Sequence, residues 1–465
     1  MAKGAEPDSV ATGAGARLPG PTGATGLGLM RRLLREPQPV LDELRGRFGP
    51  ICGLGWGPAR MAVVGEPGAL RELFATSTDA FRWGHKFNAL GFVVGPGSMI
   101  VSDGADHHRR RGSVQGAFAR RRLNGWIPMI VERTDCAVER LADELARAPA
   151  TPTVVDLYPA GRRLVLEVVV RALFGEALAT RSEEIGDLFQ RPQDYLESPA
   201  LRPLPHPFPH TRRSRVREDR RALDGLIDQT IADRRDHPTN DPADVLEALV
   251  QDGSLSDAEI RDQVVTLIGA GFDTTSASLA WMVLRASSDP AIWAALRVEA
   301  DGVLGSPGGR DDPPGPAELA RLELADRVVR ETLRLHPAGV IAPREAAGDL
   351  QLRGYRIPKG TLILWSAYLA GRDPEAWDDP LRFDPDRLLD ATPEQRALAD
   401  QAWVPFGGGT RNCIGFALAR MELTLMIARL AQRIDVSPIG PLPPPIGMVV
   451  NRPRGGAPAR VALRS

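Results

Sequence analysis

The chain has 465 residues, enough to bury a large core. Apolar residues make up 43% and charged residues 25%, an ordinary balance for a globular protein. A formal net charge of -1 excludes a global electrostatic bias toward nucleic acid or an anionic membrane surface. Of 58 basic residues only Lys3, Lys86 and Lys359 are lysine, which points to GC-rich bacterial coding rather than to special roles for each arginine. Cys52, Cys136 and Cys413 are sparse and odd in number. They imply no disulfide framework and fit a reducing cytosol, so a cytoplasmic protein is expected.

Residues 1–17 are polar and rich in Gly, Ala and Pro, without the apolar run of a signal peptide, and read as a disordered leader. No stretch approaches 18 consecutive apolar residues, so no membrane span is expected. From residue 30 the chain alternates helical patterns with short loops. "SPALRPLPHPFPH" (198–210) interrupts them and reads as a long surface loop, because proline breaks helices. Ser256 and Glu259 then form a capping box for a helix of about 30 residues, roughly 45 Å long. Asp289-Pro290 marks the start of the next helix. "DLQLRGYRIPKGTLILWS" (349–366) carries the clearest strands, with turns at Arg353-Gly354 and 358–360. The pattern predicts one mainly helical domain over 18–465 with a small β-rich region.

Three clusters carry chemistry. "GAGFDTTS" (269–276) lies inside the long helix. Gly269 and Gly271 each cost about 1 kcal/mol there relative to Ala, and leave room beside the axis for a flat or small ligand. Asp273 next to Thr274 can relay protons, and the hydroxyls can also bond back to carbonyls one turn earlier. Tight helix packing explains this cluster equally well. In "ETLRLHP" (331–337), Glu331 and Arg334 share a helix face and can pair, as exposed residues commonly do. "RFDPDRLL" (382–389) follows. "VPFGGGTRNCIGFALARME" (404–422) sets Cys413 between a glycine run and a helix start, where N–H groups favour a thiolate. The Cys-to-Arg420 spacing does not suit a thiol phosphatase, and no neighbouring Cys or His completes a zinc site. A Cys–His protease pairing through a distant His stays open, as does an inert buried cysteine; a single axial bond to haem iron fits the open glycine approach.

These clusters, in this order, resemble the cytochrome P450 family. "FGGGTRNCIG" matches the haem-loop signature F-x-x-G-x-R-x-C-x-G at every fixed position, "AGFDTT" resembles the oxygen-activation motif and "ETLR" the E-x-x-R motif. "FDPDRL" is similar to the segment that adds a second Arg, and "DGADHHRRRGSVQGAF" (103–118) to the helix that presents His and Arg to a haem propionate. The resemblance implies a triangular helical domain with haem b between the long central helix and the Cys-loop helix. It implies that Cys413 is the iron ligand, that Phe406 packs on the haem, and that Gly271, Gly409 and Gly415 allow close approach. His107, Arg111, Arg344 and Arg411 would bind propionates, with Arg109 and Arg110 as competitors to Arg111. Glu331, Arg334 and Arg387 would form a structural ion network, and Asp273 and Thr274 would deliver protons. The implied activity is insertion of one oxygen atom of O2 into an apolar small molecule, by a monomer. Electrons would come from a separate ferredoxin or flavodoxin with its reductase, steered by Arg109, Arg110, Arg120, Arg121 and Arg122. Substrate contacts are expected from 81–97, 198–210, 338–342 and 444–450, with Phe272, Val340 and Met448 as candidates that are equally core residues. A peroxide-using haem-thiolate enzyme and a non-catalytic haem sensor are the alternatives; the former needs no acid–alcohol pair, and the latter would carry an output domain.

Overall fold

The computed structural model describes residues 15–83, 89–147, 154–197, 210–239, 244–305 and 313–464. The expected leader lies outside them up to residue 14, the Pro-rich loop up to residue 209, and part of 81–97 does as well. Ala16 is already paired: its N–H donates to the Gly354 carbonyl (3.0 Å) and its carbonyl accepts from Arg356 (2.9 Å). Regular contacts therefore begin before residue 18.

The helices that position the site are α1 (Gly104–Ala117), α2 (Ile127–Arg147), α3 (Leu157–Ala179), α4 (Ser182–Leu196), α5 (Arg212–Asp236), α6 (Asp257–Ser287), α7 (Pro290–Leu304), α8 (Glu323–Leu335) and α9 (Phe416–Arg433). The central α6 starts where its sequence says it should. Ser256 Oγ accepts from the Glu259 N–H, and the Glu259 carboxylate accepts from the Ser256 N–H, a complete capping box. At 31 residues it is about 46 Å long. It packs against α3, α5, α8 and α9. Val264, Ile268 and Met282 of α6 join Val165 and Val169 of α3 and Leu425 and Met426 of α9 in the main core. Each such side chain contributes about 1.5–3 kcal/mol on burial. By length and composition α6 is apolar enough to cross a membrane, but 78% of that window is buried inside the protein. It is the core helix.

The strands β1 (Ile51–Leu54), β2 (Met61–Val64), β3 (Phe81–Arg82), β4 (Ala342–Ala346) and β5 (Leu362–Trp365) form one sheet in the order β1-β2-β5-β4-β3. β2 and β5 are parallel and the other pairs antiparallel. The predicted hairpin is present: Leu350–Leu352 pairs with Tyr355–Ile357 around Arg353 (φ 49°) and Gly354 (φ 77°), the two positive dihedrals of a tight hairpin turn. The register of β3 on β4 sets Phe81 opposite Ala346 and Arg82 opposite Glu345, so the chain leaves β3 beside Arg344.

Candidate functional site

The cysteine loop is held by its own backbone and by helix Pro67–Ala75. The Cys413 N–H donates to the Phe406 carbonyl (2.9 Å) and that of Gly407 to Val404 (3.0 Å). Gly407 (φ 70°) and Gly409 (φ 68°) sit in the left-handed region that favours glycine. Gly409 could carry no side chain anyway, because a Cβ would lie 2.3 Å from the Phe74 carbonyl oxygen; at Gly408 it would lie 2.5 Å from the Phe74 ring. The glycine run thus lets the loop press on Phe74. Phe406 packs edge-on to Phe416, with ring centroids 4.9 Å apart. Cys413 precedes Gly415, the cap of α9. Its side chain is exposed at the surface, yet enough protein surrounds it that burial pushes the thiol pKa up. The Gly415 N–H and the Arg111 guanidinium pull the other way, favouring thiolate. At Gly415 a Cβ would stand 4.0 Å from Sγ, an ordinary contact, so among protein atoms no close approach demands glycine there.

Arginines converge beside this loop. Arg344 on β4 and Arg411 are each pushed down to about 10, mainly by burial, and each has a buried Nε with no partner among the described residues. Among the described residues Arg344 donates to one carbonyl, that of Leu73 (3.2 Å). Arg411 donates to the Ser102 carbonyl (2.6 Å) and has one weak carboxylate contact, Asp103 at 3.4 Å. Arg111 donates to the Asn412 side chain (2.8 Å). His107 is buried, and burial followed by Arg411 and Arg111 drops its pKa to about 3, so it is neutral. The structure separates the three consecutive arginines: Arg109 and Arg110 pair with Glu259 at the start of α6, and only Arg111 faces the cysteine loop.

On α6 the chemistry divides between faces. Ala270 is exposed and Thr274 half-exposed, although both lie mid-way along a core helix. They stand one turn apart, and the Thr274 hydroxyl donates to the Ala270 carbonyl (2.5 Å). Asp273 turns the other way. Its carboxylate is buried, 3.3 Å from Arg162 Nε of α3, and neither oxygen has a hydrogen-bond partner among the described residues. Burial raises its pKa; Arg162 and Arg452 oppose that rise.

Comparisons with known proteins identify the family. The family model described as Cytochrome P450 matches residues 18–456. The chain belongs to the cytochrome P450 family. A putative cytochrome P450 139 of Mycobacterium tuberculosis is 34% identical over 83% of this chain and 87% of that protein. The pentalenene oxygenase of Streptomyces avermitilis is 33% identical over 91% and 92%. The structure of the retinoic acid-bound cyanobacterial CYP120A1 matches with a TM-score of 0.77 at 24% identity, over 91% of this chain and 94% of that one, which establishes the fold. The mainly helical fold with small sheets is therefore the P450 fold, and the protein is an oxidoreductase of the monooxygenase class with a haem cofactor, O2, an organic substrate and a source of electrons.

The residues present fit haem. A porphyrin carrying two carboxylates suits the buried, poorly partnered nitrogens of Arg344 and Arg411, and the accessible thiol suits iron. Behind the loop of this P450, Arg334 grips both oxygens of Glu331 (2.7 and 2.8 Å), and Arg387 reaches the same carboxylate at 2.9 Å.

Other positions differ from the sequence reading. Gly271 and Gly269 do not leave open room: a Cβ on them would meet Val169 at 3.4 Å and Phe189 at 3.2 Å, so they serve packing against α3 and α4. The open position is Ala270, the first residue of the AGFDTT motif, which the sequence reading did not name as a site residue; its one-turn spacing from Thr274 was the available signal. Phe272 is a core residue, buried beneath the Arg162 guanidinium (4.8 Å) rather than at the open face. Val340 is completely buried in the cluster of Val40, Leu41 and Leu364. Met448 is half-buried, its N–H bound to Glu197 (3.1 Å).

Proposed function

We propose that Cys413 ligates the iron of haem b, and that Arg344, Arg411 and Arg111, with neutral His107, receive its two carboxylates. On this reading residues 18–465 act as one catalytic unit that oxygenates an apolar molecule with electrons from a separate ferredoxin or flavodoxin. The observation that carries the proposal is the loop-held thiol beside buried guanidinium groups that lack adequate anionic partners. A buried cation without a counter-charge is costly; two carboxylates remove that cost.

When bound, haem supplies oxygen-activation chemistry that side chains lack. The protein's part is orientation and proton supply. The Gly415 N–H and Arg111 stabilise negative charge on the Cys413 sulfur. Phe406 and Phe416, packed edge-on, give the loop and the start of α9 an apolar surface. Thr274 holds a hydroxyl proton on the open face of α6. Asp273 stands behind it, its proton retained by burial and released under the influence of Arg162 and Arg452. Thr274 and Asp273 together form the route by which protons enter.

The exposed methyl group of Ala270 on the open face of α6 favours a hydrocarbon-like substrate. Pentalenene, for which one relative is named, is the first compound to screen. Arg109 and Arg110 are committed to Glu259, so the exposed Arg120 is better placed to steer an acidic electron donor. The test is spectroscopic. The reduced, CO-treated protein is expected to absorb near the wavelength for which the family is named, and Cys413→Ala to lose that band. A band that survives the substitution refutes the ligand assignment.

A further inference from the structure

We infer that Trp83 is a positioning residue that organises the two arginines receiving the haem carboxylates. The inference rests on the carboxylate assignment proposed above. Trp83 immediately follows β3 and therefore stands beside β4, which carries Arg344. The Arg411 guanidinium lies over the indole with its carbon 3.8 Å from the ring centroid; that of Arg344 lies 5.4 Å from the same ring. Arg344 is further flanked by Phe81 (4.9 Å) and Phe74 (5.4 Å). The Trp83 backbone N–H donates to Asp103 Oδ1 (3.0 Å), the carboxylate that also makes the weak contact with Arg411. Strand β3, Asp103 and the cysteine loop are thus tied together at this one residue.

The physical need is plain. Two guanidinium groups brought together repel, and burial removes the water that would screen them. The negative face of an aromatic ring attracts a cation, by about 0.5–2 kcal/mol according to its desolvation. An indole touching both lowers the cost of holding them side by side before an anion arrives, and the site is pre-organised as a result. It also sets the plane of Arg411, whose other hydrogen bond, to the Ser102 carbonyl, fixes only one nitrogen. Phe74 serves the same group of contacts from below: its carbonyl and ring shape the Gly408–Gly409 bend while its ring faces Arg344.

Haem binding by the apoprotein tests this directly. Affinity is measured by absorbance titration with iron protoporphyrin IX and with its dimethyl ester, in which both carboxylates are capped. The parent protein is expected to prefer the free acid strongly. Trp83→Met, which fills volume without an aromatic face, is expected to lose about tenfold for the free acid and little for the ester. Trp83→Phe, which keeps a smaller ring, is expected to lose about threefold for the free acid. Circular dichroism of each apoprotein reports folding, and Trp83→Phe carries the comparison if Trp83→Met does not fold. If the parent binds both porphyrins alike, the carboxylate assignment falls and this inference with it. If the parent discriminates and the Trp83 variants discriminate equally, or lose both porphyrins equally, Trp83 is a packing residue and the inference is overturned while the assignment stands.

Discussion

Replacing Arg334 by Met removes a buried, multiply hydrogen-bonded cation while nearly conserving side-chain volume. Arg334 is 1% exposed. Its Nε and Nη2 bind Glu331 at 2.7 and 2.8 Å, and it donates to the carbonyls of Gly371 (2.5 Å), Pro380 (2.7 Å) and Arg382 (2.9 Å). The substitution orphans buried carbonyls and strips Glu331 of one of its two cations. Breaking a buried pair from one side costs about 3–5 kcal/mol. Against a total stability of roughly 5–15 kcal/mol, that is about a fifth or more. Arg387→Met is milder. Arg387 sits at the edge of the network, and without it Glu331 keeps Arg334 and the Asp384 N–H at 2.9 Å. Its loss is about 1.5–3 kcal/mol, the range for hydrogen bonds to a charged group. The assay is urea unfolding followed by far-ultraviolet circular dichroism, comparing midpoints at an unchanged slope. Adding Glu331→Gln to Arg334→Met should deepen the loss, because Glu331 is still paired with Arg387 at 2.9 Å and the substitution takes that carboxylate from it. An Arg334→Met protein within about 1 kcal/mol of the parent, or an Arg387→Met protein that is equally damaged, refutes the reasoning.

Thr274→Ala removes the hydroxyl from the open face of α6 while leaving the helix intact; product formed per electron consumed is expected to fall about tenfold, with hydrogen peroxide making up the difference, and unchanged coupling removes Thr274 from the proton route. Glu422, on α9, is 1% exposed, its Oε1 has no hydrogen-bond partner among the described residues, and burial raises its pKa from 4.5 to about 8. The folded state therefore keeps a proton that the unfolded state releases, so the contribution of Glu422 to stability is full below pH 4.5 and is lost as pH rises toward about 8. Glu422→Gln is expected to stabilise the protein by about 2–3 kcal/mol at neutral pH and to have little effect at pH 4.5; a gain independent of pH over that window contradicts the assignment.

Local chemistry and side-chain direction were legible in the sequence to different degrees. The capping box at Ser256 and the Arg353-Gly354 turn depend on residues a few positions apart, and the structure has both where the sequence put them. The pairing of Glu331 with Arg334 follows from helix spacing alone, whereas its reinforcement by Arg387, 56 positions away, came from resemblance to a family pattern. What the sequence did not reveal was which way a side chain points once distant segments pack. Glycine at 271 is compatible with room for a ligand or with a neighbouring helix, and the decision belongs to Val169, some hundred residues earlier in the chain. Arg109, Arg110 and Arg111 are chemically identical; Glu259 selects the first two and thereby leaves the third to the cysteine loop. Trp83 carries no motif at all and is defined only by the guanidinium groups that β4 and the loop bring to its ring. The haem loop could be read because its glycines, its arginine and its cysteine lie within one turn of chain. The charge proposed to meet the cofactor's carboxylates could be read only in part, since it is assembled from β4, α1 and the cysteine loop. On that proposal, recognition of an anion depends on tertiary packing, and variants outside the cysteine loop, Trp83 among them, are the ones that should separate haem affinity from thiolate ligation.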